Sequence, residues 1–360
     1  MSPTRPSSGA HRPSRTYEYG TVVELAQNTY MVVGRLLNPA QGEADVANAI
    51  VHRADDTLYV IDTGATPSFR PFLLDAIGKV GAFEHVVLIN THGHPDHCGN
   101  NDLVMGLEVS SREHYMSRDD DALADGYLTA LIGAFEGVAG YIPGIDDPAG
   151  QAKALLDLFE PLEESVRTRQ AIESRPETPV TIGKLNTTGW RFGEDDVVAL
   201  ETSAHTPGEL IVYLPKVKLL HVSDELVSYY QAFPEADPDR AIKVFELMRQ
   251  AASGDDVELL TDGHTFEIYR EVEDHVQAYI DGYETYDKVV RELLAAAPDG
   301  LTVAELIEAT GTAPEMKSAP GGPNPGGGFF GAMQALKKLK QLNAVSTGGD
   351  RATERFSLPS

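Results

Sequence analysis

The stretch Asn90-Thr-His-Gly-His-Pro-Asp-His-Cys-Gly-Asn-Asn101 sets three histidines and an aspartate, His92, His94, Asp96 and His97, within six positions. The run that leads into it, His85-Val-Val-Leu-Ile-Asn90, is apolar and β-branched and predicts a strand. The Gly99-Asn-Asn101 that follows has the composition of a turn. The four donors therefore stand where a buried strand ends. Imidazole nitrogen and carboxylate oxygen suit borderline cations such as zinc, and a loop end can aim several donors at one point. The plainer reading is a polar loop with ordinary histidines; four donors this close behind a strand argue against it.

Working outward, three more donors stand at or near the ends of apolar runs. His205 follows Val197-Val-Ala-Leu200 and opens His-Thr-Pro-Gly, Asp224 follows Lys218-Leu-Leu-His-Val-Ser, and His264 follows Leu259-Leu-Thr-Asp-Gly. A sheet holds such residues rigidly while the loops leave the site open. Upstream, Thr57–Ile61 reads as a strand that ends in Asp62-Thr-Gly, and Phe69, Phe72, Leu73, Ile77 and Val80 have helical spacing. Hairpin strands are predicted at Gly20–Leu25 and Thr29–Gly34, and short strands at Asn48–His52 and Leu107–Ser110. From about 117 to 176 the pattern turns helical, at Leu123, Tyr127, Leu131, Phe135, Leu155, Leu158 and Phe159, and we read this span as an insertion. Its run Asp119-Asp-Asp121 suits a helix N-terminus.

Strand patterns return at 180–182, 190–192, 197–200, 209–214, 218–222 and 257–261. Helices are predicted over 239–252 and from Ile268 to about Ala297. Two packed sheets with helices outside satisfy this order. In the tail, Thr302 with Glu305 predicts a capped helix, a Gly/Pro loop runs from Gly321 to Gly328, and a second helix covers 330–342 before two short strands. These are the parts of a small winged-helix-like module. Lys337, Lys338 and Lys340 are matched by acidic residues across the same tail, so packing or oligomerisation suits it better than nucleic-acid binding.

These motifs together resemble the metallo-β-lactamase-fold hydrolase superfamily. Its His-x-His-x-Asp-His signature stands at His92, His94, Asp96 and His97, followed in order by a lone His205, a strand-end Asp224 and Gly263-His264, and preceded by Asp62-Thr-Gly. The resemblance spans about residues 17 to 270. It implies an αβ/βα four-layer sandwich of the α+β class, here with the insertion and the C-terminal module. It also implies two metal ions, zinc foremost with iron or manganese as alternatives; a mononuclear site is the alternative, against which the presence of Asp224 and His264 speaks. His92, His94 and His205 would hold the first ion, Asp96, His97 and His264 the second, and Asp224 would bridge them. The expected chemistry is attack by a metal-bound hydroxide, with Asp96 as general base and Asp62 orienting a ligand histidine. Two departures stand out: Ser223 occupies a position that is often glycine, and Glu209-Leu210 follow the Thr-Pro-Gly turn where other members have His and then Ser or Thr.

Tyr229 and Tyr230, shortly after Asp224, are candidates for substrate contact through a phenol that stabilises an oxyanion, with loop packing as the alternative. Cys98, His52, His114 and His221 are expected to be structural. The expected organisation is a disordered tail over 1–16, a hydrolase domain over 17–270 and a C-terminal region over 271–360.

The formal charge of -26 on 360 residues opposes binding to nucleic acid and to anionic membranes. No run is long enough to cross a bilayer. Cys98 is the only cysteine, so no intrachain disulfide exists, and Met1–Arg15 lacks the apolar core of a secretory signal. A cytoplasmic location follows by elimination. The expected partner is a small organic substrate bearing an ester, lactone, thioester, sulfate ester or haloorganic bond; a homo-oligomer is compatible. A metal-dependent nuclease and an iron-dependent redox protein of the same fold are the rival readings. The charge speaks against the first, and His94 in place of the Glu of flavodiiron relatives speaks against that form of the second.

Overall fold

The computed structural model describes residues 17–159, 169–231, 233–318 and 328–359. The tail expected over 1–16 and most of the Gly/Pro loop expected from Gly321 to Gly328 lie outside them. The first sheet comprises β1 (Val22–Ala26), β2 (Thr29–Val32), β3 (Ala49–Ala54), β4 (Thr57–Ile61), β5 (His85–Ile89), β6 (Ser111–Met116) and β7 (Gln170–Ala171), in that spatial order. Its first four strands run antiparallel to one another, and β4 to β7 are parallel. Between these strands lie α1 (Arg70–Lys79), α2 (Pro95–Cys98), α3 (Asn101–Met105) and the insertion helices α4 (Arg118–Val138) and α5 (Pro148–Leu156).

The second sheet is built from β8 (Thr178–Ile182), β9 (Leu185–Phe192), β10 (Val197–Glu201), β11 (Leu210–Leu214), β12 (Leu219–His221) and β13 (Leu259–Thr261). It is antiparallel except for the parallel pair β12–β13. The helices α6 (Pro238–Ala252), α7 (Val272–Ala296), α8 (Val303–Thr312) and α9 (Gly328–Gln341) and the ribbon β14 (Val345–Ser346) with β15 (Phe356–Ser357) complete the α-helices and strands among the described residues.

Alternation along the strands creates the layers. Val87 and Ile89 of β5 meet Trp190, Val197, Ala199, Leu210 and Val212 in a core between the sheets. Val86 and Leu88 of the same strand face Phe69, Leu73 and Ile77, on and beside α1. Val198 and Leu200 of β10 and Ile211 of β11 face α6 and α7 through Val244, Phe245, Met248, Val276 and Tyr279. Because side chains alternate with period two, each strand feeds two cores, and helix, sheet, sheet and helix stack in four layers.

Where the elements differ from expectation, pairing explains it. Leu107–Ser110 precedes the strand rather than forming it: β6 is aligned by β5, whose His85 pairs with Ser111. The long helix starts at Val272 and not at Ile268, because Tyr269 exchanges both backbone hydrogen bonds with Leu260 at 2.9 Å. The two-residue β7 is too short to show a period. The turn after the His motif winds into α2 and α3, with Pro95 in the first turn of α2, where its missing N–H costs nothing.

Ser117 caps α4 by accepting from Asp120 N, with Asp119–Asp121 in the first turn, and Thr302 and Glu305 form the capping box of α8. The apolar residues of α8, α9 and β15, among them Leu306, Met333 and Phe356, enter the same core as Leu200 and Leu220 of the second sheet. No helix among the described residues is long and apolar enough to cross a membrane.

Candidate metal centre

All the donors singled out above lie just beyond the C-terminal ends of β4, β5, β10, β12 and β13 and converge there. His92, His94, His205 and Asp224 form one group, and Asp96, His97, Asp224 and His264 another. Within each group one ligand atom per residue lies within 4.8 Å of every other. All seven residues are at most 7% exposed. Nδ1 of His94 lies 3.2 Å from Nε2 of His205, and Nε2 of His264 lies 3.0 Å from Asp96 Oδ2 and 3.3 Å from Asp224 Oδ2.

Nε2 of His92 is buried without a hydrogen-bond partner among the described residues, and Nε2 of His97 and Oδ1 of Asp224, 3.3 Å apart, meet as an ion pair without hydrogen-bond geometry. Buried donors and acceptors are normally paired. Imidazole lone pairs and carboxylates that converge while several atoms stay without hydrogen bonds are a donor set suited to cations. The residues present therefore fit a metal centre.

Each of the five histidines has a polar side chain behind its other ring nitrogen. Asp62 Oδ2 lies 2.8 Å from Nδ1 of His97, as expected for a residue that orients a ligand. The other four escaped the sequence reading. Gln231 Oε1 is 2.6 Å from Nδ1 of His205, Glu235 Oε1 2.8 Å from Nε2 of His94, Glu209 Oε2 3.2 Å from Nδ1 of His92, and Asp45 Oδ1 3.3 Å from Nδ1 of His264. The hydrogen-bonded partners Asp62, Gln231 and Glu235 set the tautomer and orient the ring, whereas Glu209 and Asp45 stand at ion-pair distance without hydrogen-bond geometry. Gln231 is itself oriented, since its Nε2 donates to the carbonyls of Asp224 and Glu225, both at 3.0 Å. Glu209 Oε1 accepts from Asp224 N at 3.1 Å. The replacement noted after the Thr-Pro-Gly turn thus puts a carboxylate beneath two candidate ligands.

The loops are locally strained. Asp62, Ser203 and Ser223 have φ of 56°, 58° and 48°, a left-handed region that costs a non-glycine residue about 1 kcal/mol or more. This explains why glycine suits the position of Ser223. The serine gains what glycine lacks, since its hydroxyl meets Thr91 Oγ1 at 2.7 Å, and Thr91 donates to Asp62 Oδ2 at 2.7 Å. Gly263 is required for another reason. A Cβ there would lie 2.1 Å from Asp224 Oδ1 and 3.2 Å from His97 Cε1.

Negative charge is crowded here. Burial, with Glu225 and Asp224 close by, pushes the Glu209 carboxyl well above the usual range. Burial likewise lifts Glu225 to about 7 and lowers His205 to about 4. Burial opposes the charged forms of Asp96 and His97 too, but their ion contacts prevail: Asp96 is held down to about 2, mainly by His97 and His264, and His97 is raised by Asp224, Asp62 and Asp96. A cation would relieve this excess of buried carboxylate.

Tyr229 and Tyr230 lie elsewhere. Both are fully buried in the core of the second sheet. Tyr229 packs on Tyr286 and Gly282, and Tyr230 on Tyr283, Tyr286 and the Lys338 ammonium. They are core side chains, and the rings that do reach the centre are Tyr127 and Phe233, 5.0 and 5.4 Å from His94. Cys98 is buried, donates to the His92 carbonyl, and has its thiol pushed well up by burial.

The family description "Metallo-beta-lactamase superfamily" matches residues 42–264. No curated protein matches the chain in sequence. Among solved structures, a metallo-beta-lactamase family protein from Thermus thermophilus superposes with a TM-score of 0.62 at 15% identity, covering 93% of this chain and 100% of that one. A beta-lactamase domain protein from Burkholderia ambifaria gives 0.62 at 16% identity over 96% and 97%. The sec-alkylsulfatase Pisa1 from Pseudomonas sp. gives 0.56 at 16% identity over 88% of this chain and 49% of that one. At these identities the likeness concerns the fold. With the family match covering more than half of its length, the chain belongs to the metallo-beta-lactamase superfamily.

Proposed function

We propose that the chain is a hydrolase of small organic substrates with a two-ion site, zinc foremost. His92, His94 and His205 hold one ion, Asp96, His97 and His264 the other, and Asp224 serves both. The single observation that carries this reading is the pair of four-donor groups sharing Asp224. Members of the superfamily bind metal ions and are mostly metal-dependent hydrolases. When bound, such ions polarise a substrate oxygen and acidify water.

The chain's own part is orientation and proton handling. Asp62, Gln231 and Glu235 hold three of the imidazoles by hydrogen bonds, and Glu209 and Asp45 stand beside the other two. Asp96 is ionised at neutral pH and sits at the centre with 7% exposure, so its carboxylate can take a proton from the attacking water. The hydrolase unit spans 17–270, with the described residues of 271–360 packed onto it. The bond cleaved belongs to the ester, lactone, thioester, sulfate ester or haloorganic group, and the charge of -26 disfavours nucleic acid.

The test is metal analysis of protein purified without added metal, followed by turnover of lactones, thioesters, sulfate esters, phosphodiesters and haloaromatics at defined zinc. His92→Ala should lose metal and turnover with its melting transition retained. Full metal content and activity in that variant would sink the reading, and one iron with little zinc would replace it with a redox centre.

A further inference from the structure

Aromatic rings lead away from the candidate centre in a row. Phe233 stands 5.4 Å from His94 and 5.1 Å from His205, ring to ring. Phe330 of α9 meets Phe233 edge-on at 5.3 Å, Phe329 meets Phe330 at 5.1 Å, and Phe329 stacks on Phe135 of α4 at 4.2 Å. Tyr127, on the same face of α4 as Phe135, meets His94 edge-on at 5.0 Å. The row draws on three separate parts of the chain: the insertion, the loop after Asp224 and the C-terminal helix.

Four of these five rings are not simply core; the fifth, Phe329, packs against the core of the second sheet. Tyr127, Phe135, Phe233 and Phe330 belong to none of the three apolar clusters formed by the described residues, nor to the side chains packed against them. All four are half-buried, whereas Tyr229, Tyr230, Tyr286 and Phe245 are fully buried. On a chain of charge -26, a half-open row of uncharged rings that starts at the candidate ligands is an exception. Concave sites for small molecules have this composition, apolar walls around a few convergent polar groups.

We propose that this row seats the non-reacting arm of the substrate, and that the arm is an uncharged aryl or alkyl group. The inference rests on the hydrolase reading for which end of the substrate reacts. Phe330 then makes the C-terminal helix a determinant of specificity, and Tyr127 does the same for the insertion. A charged arm is disfavoured, because the rings of the row offer it no counter-ion and burial there would leave its charge unpaired. Edge-on ring contacts suit a further aryl group, and a flexible alkyl chain gains from the same apolar area.

The experiment is a fluorescence titration of the full chain with the neutral dye Nile red, with γ-nonalactone and γ-butyrolactone as competitors. The dye should bind both metal-free and zinc-loaded protein, and γ-nonalactone should displace it at far lower concentration than γ-butyrolactone. Phe330→Ala should weaken dye binding by about ten-fold, roughly one ring's burial. Phe330→Leu, which keeps apolar volume, should weaken it less and guards against a folding defect in the alanine variant. His92→Ala should bind the dye as the parent does.

If dye affinity is indifferent to both Phe330 variants while their melting transitions match the parent, the inference fails. It also fails if sedimentation shows the parent self-associating through this row and Phe330→Ala abolishing that association, because the rings would then be an interface between copies. If the binding results hold but no member of the substrate panel is turned over, the hydrolase reading falls alone.

Discussion

Oε1 of Glu235 stands 2.8 Å from Nε2 of His94, across 141 positions of sequence. Burial opposes the charge on both partners, yet their contact lowers the carboxyl and raises the imidazole. The bond leaves Nδ1 of His94 facing His205. Glu235→Gln should therefore keep the fold but weaken metal binding by about ten- to a hundred-fold, the usual effect of losing a ligand's orienting partner. Competition with a chelator checks this, and unchanged affinity would remove Glu235 from the site.

Two glycine substitutions should move in opposite directions. Gly263→Ala drives a methyl group into Asp224 and His97, and should destabilise the protein by about 1–3 kcal/mol and impair metal loading. Gly133→Ala lies within α4 with nothing near its Cβ position, and should stabilise by about 0.5–1 kcal/mol. Thermal melts of both variants give the signs directly.

Ser223 separates backbone strain from hydrogen bonding. Ser223→Ala keeps φ at 48° and loses the hydroxyl contact with Thr91, whereas Ser223→Gly loses the same contact but relieves the strain. The alanine variant should be the less stable of the two by about 1 kcal/mol in denaturant melts. The reverse order would mean that the left-handed backbone at this position carries no strain.

A pH effect should arise far from the metal centre. Burial lowers the His52 imidazole from 6.5 to about 4, with Thr29 Oγ1 at 2.8 Å from its Nδ1. A folded pKa below the unfolded one means that the unfolded chain binds the proton first as pH falls. The contribution of His52 is thus intact above about pH 6.5 and declines between there and pH 4, by about 3 kcal/mol in all. His52→Gln should flatten the stability profile in that window relative to the parent. Parallel profiles would show that His52 titrates normally in the folded state.

The donor motif and the strand ends were legible because both are local: apolar runs announce strands, and Asp62, His92, Asp224 and His264 follow closely where they stop. Glu235, Gln231, Glu209 and Asp45 were not, because loop residues have no period and meet their histidines only after the two sheets pack. Glu209 was noticed only as a departure from the family pattern; its place directly before β11 was the available signal. Tyr229 and Tyr230 illustrate the converse. Nearness to Asp224 in sequence suggested a place in the cleft, but the chain turns them under α7, where their rings fill the core.

The core that joins Phe356 to Leu200 and Leu220 bears on the order in which the protein can be made. Arg351 donates to the carbonyls of Glu136 and Ala139 at the end of α4, and Tyr141 donates to Glu354 at 2.8 Å, so the ribbon also fastens the insertion. A nascent chain that has exposed every histidine of the centre still lacks these contacts. The outer layer of the second sheet is complete only once residue 356 has left the ribosome. Until then part of its apolar face is open to chaperones, and a chain stalled after His264 would carry all the candidate ligands and α6 but lack α7, α8 and α9.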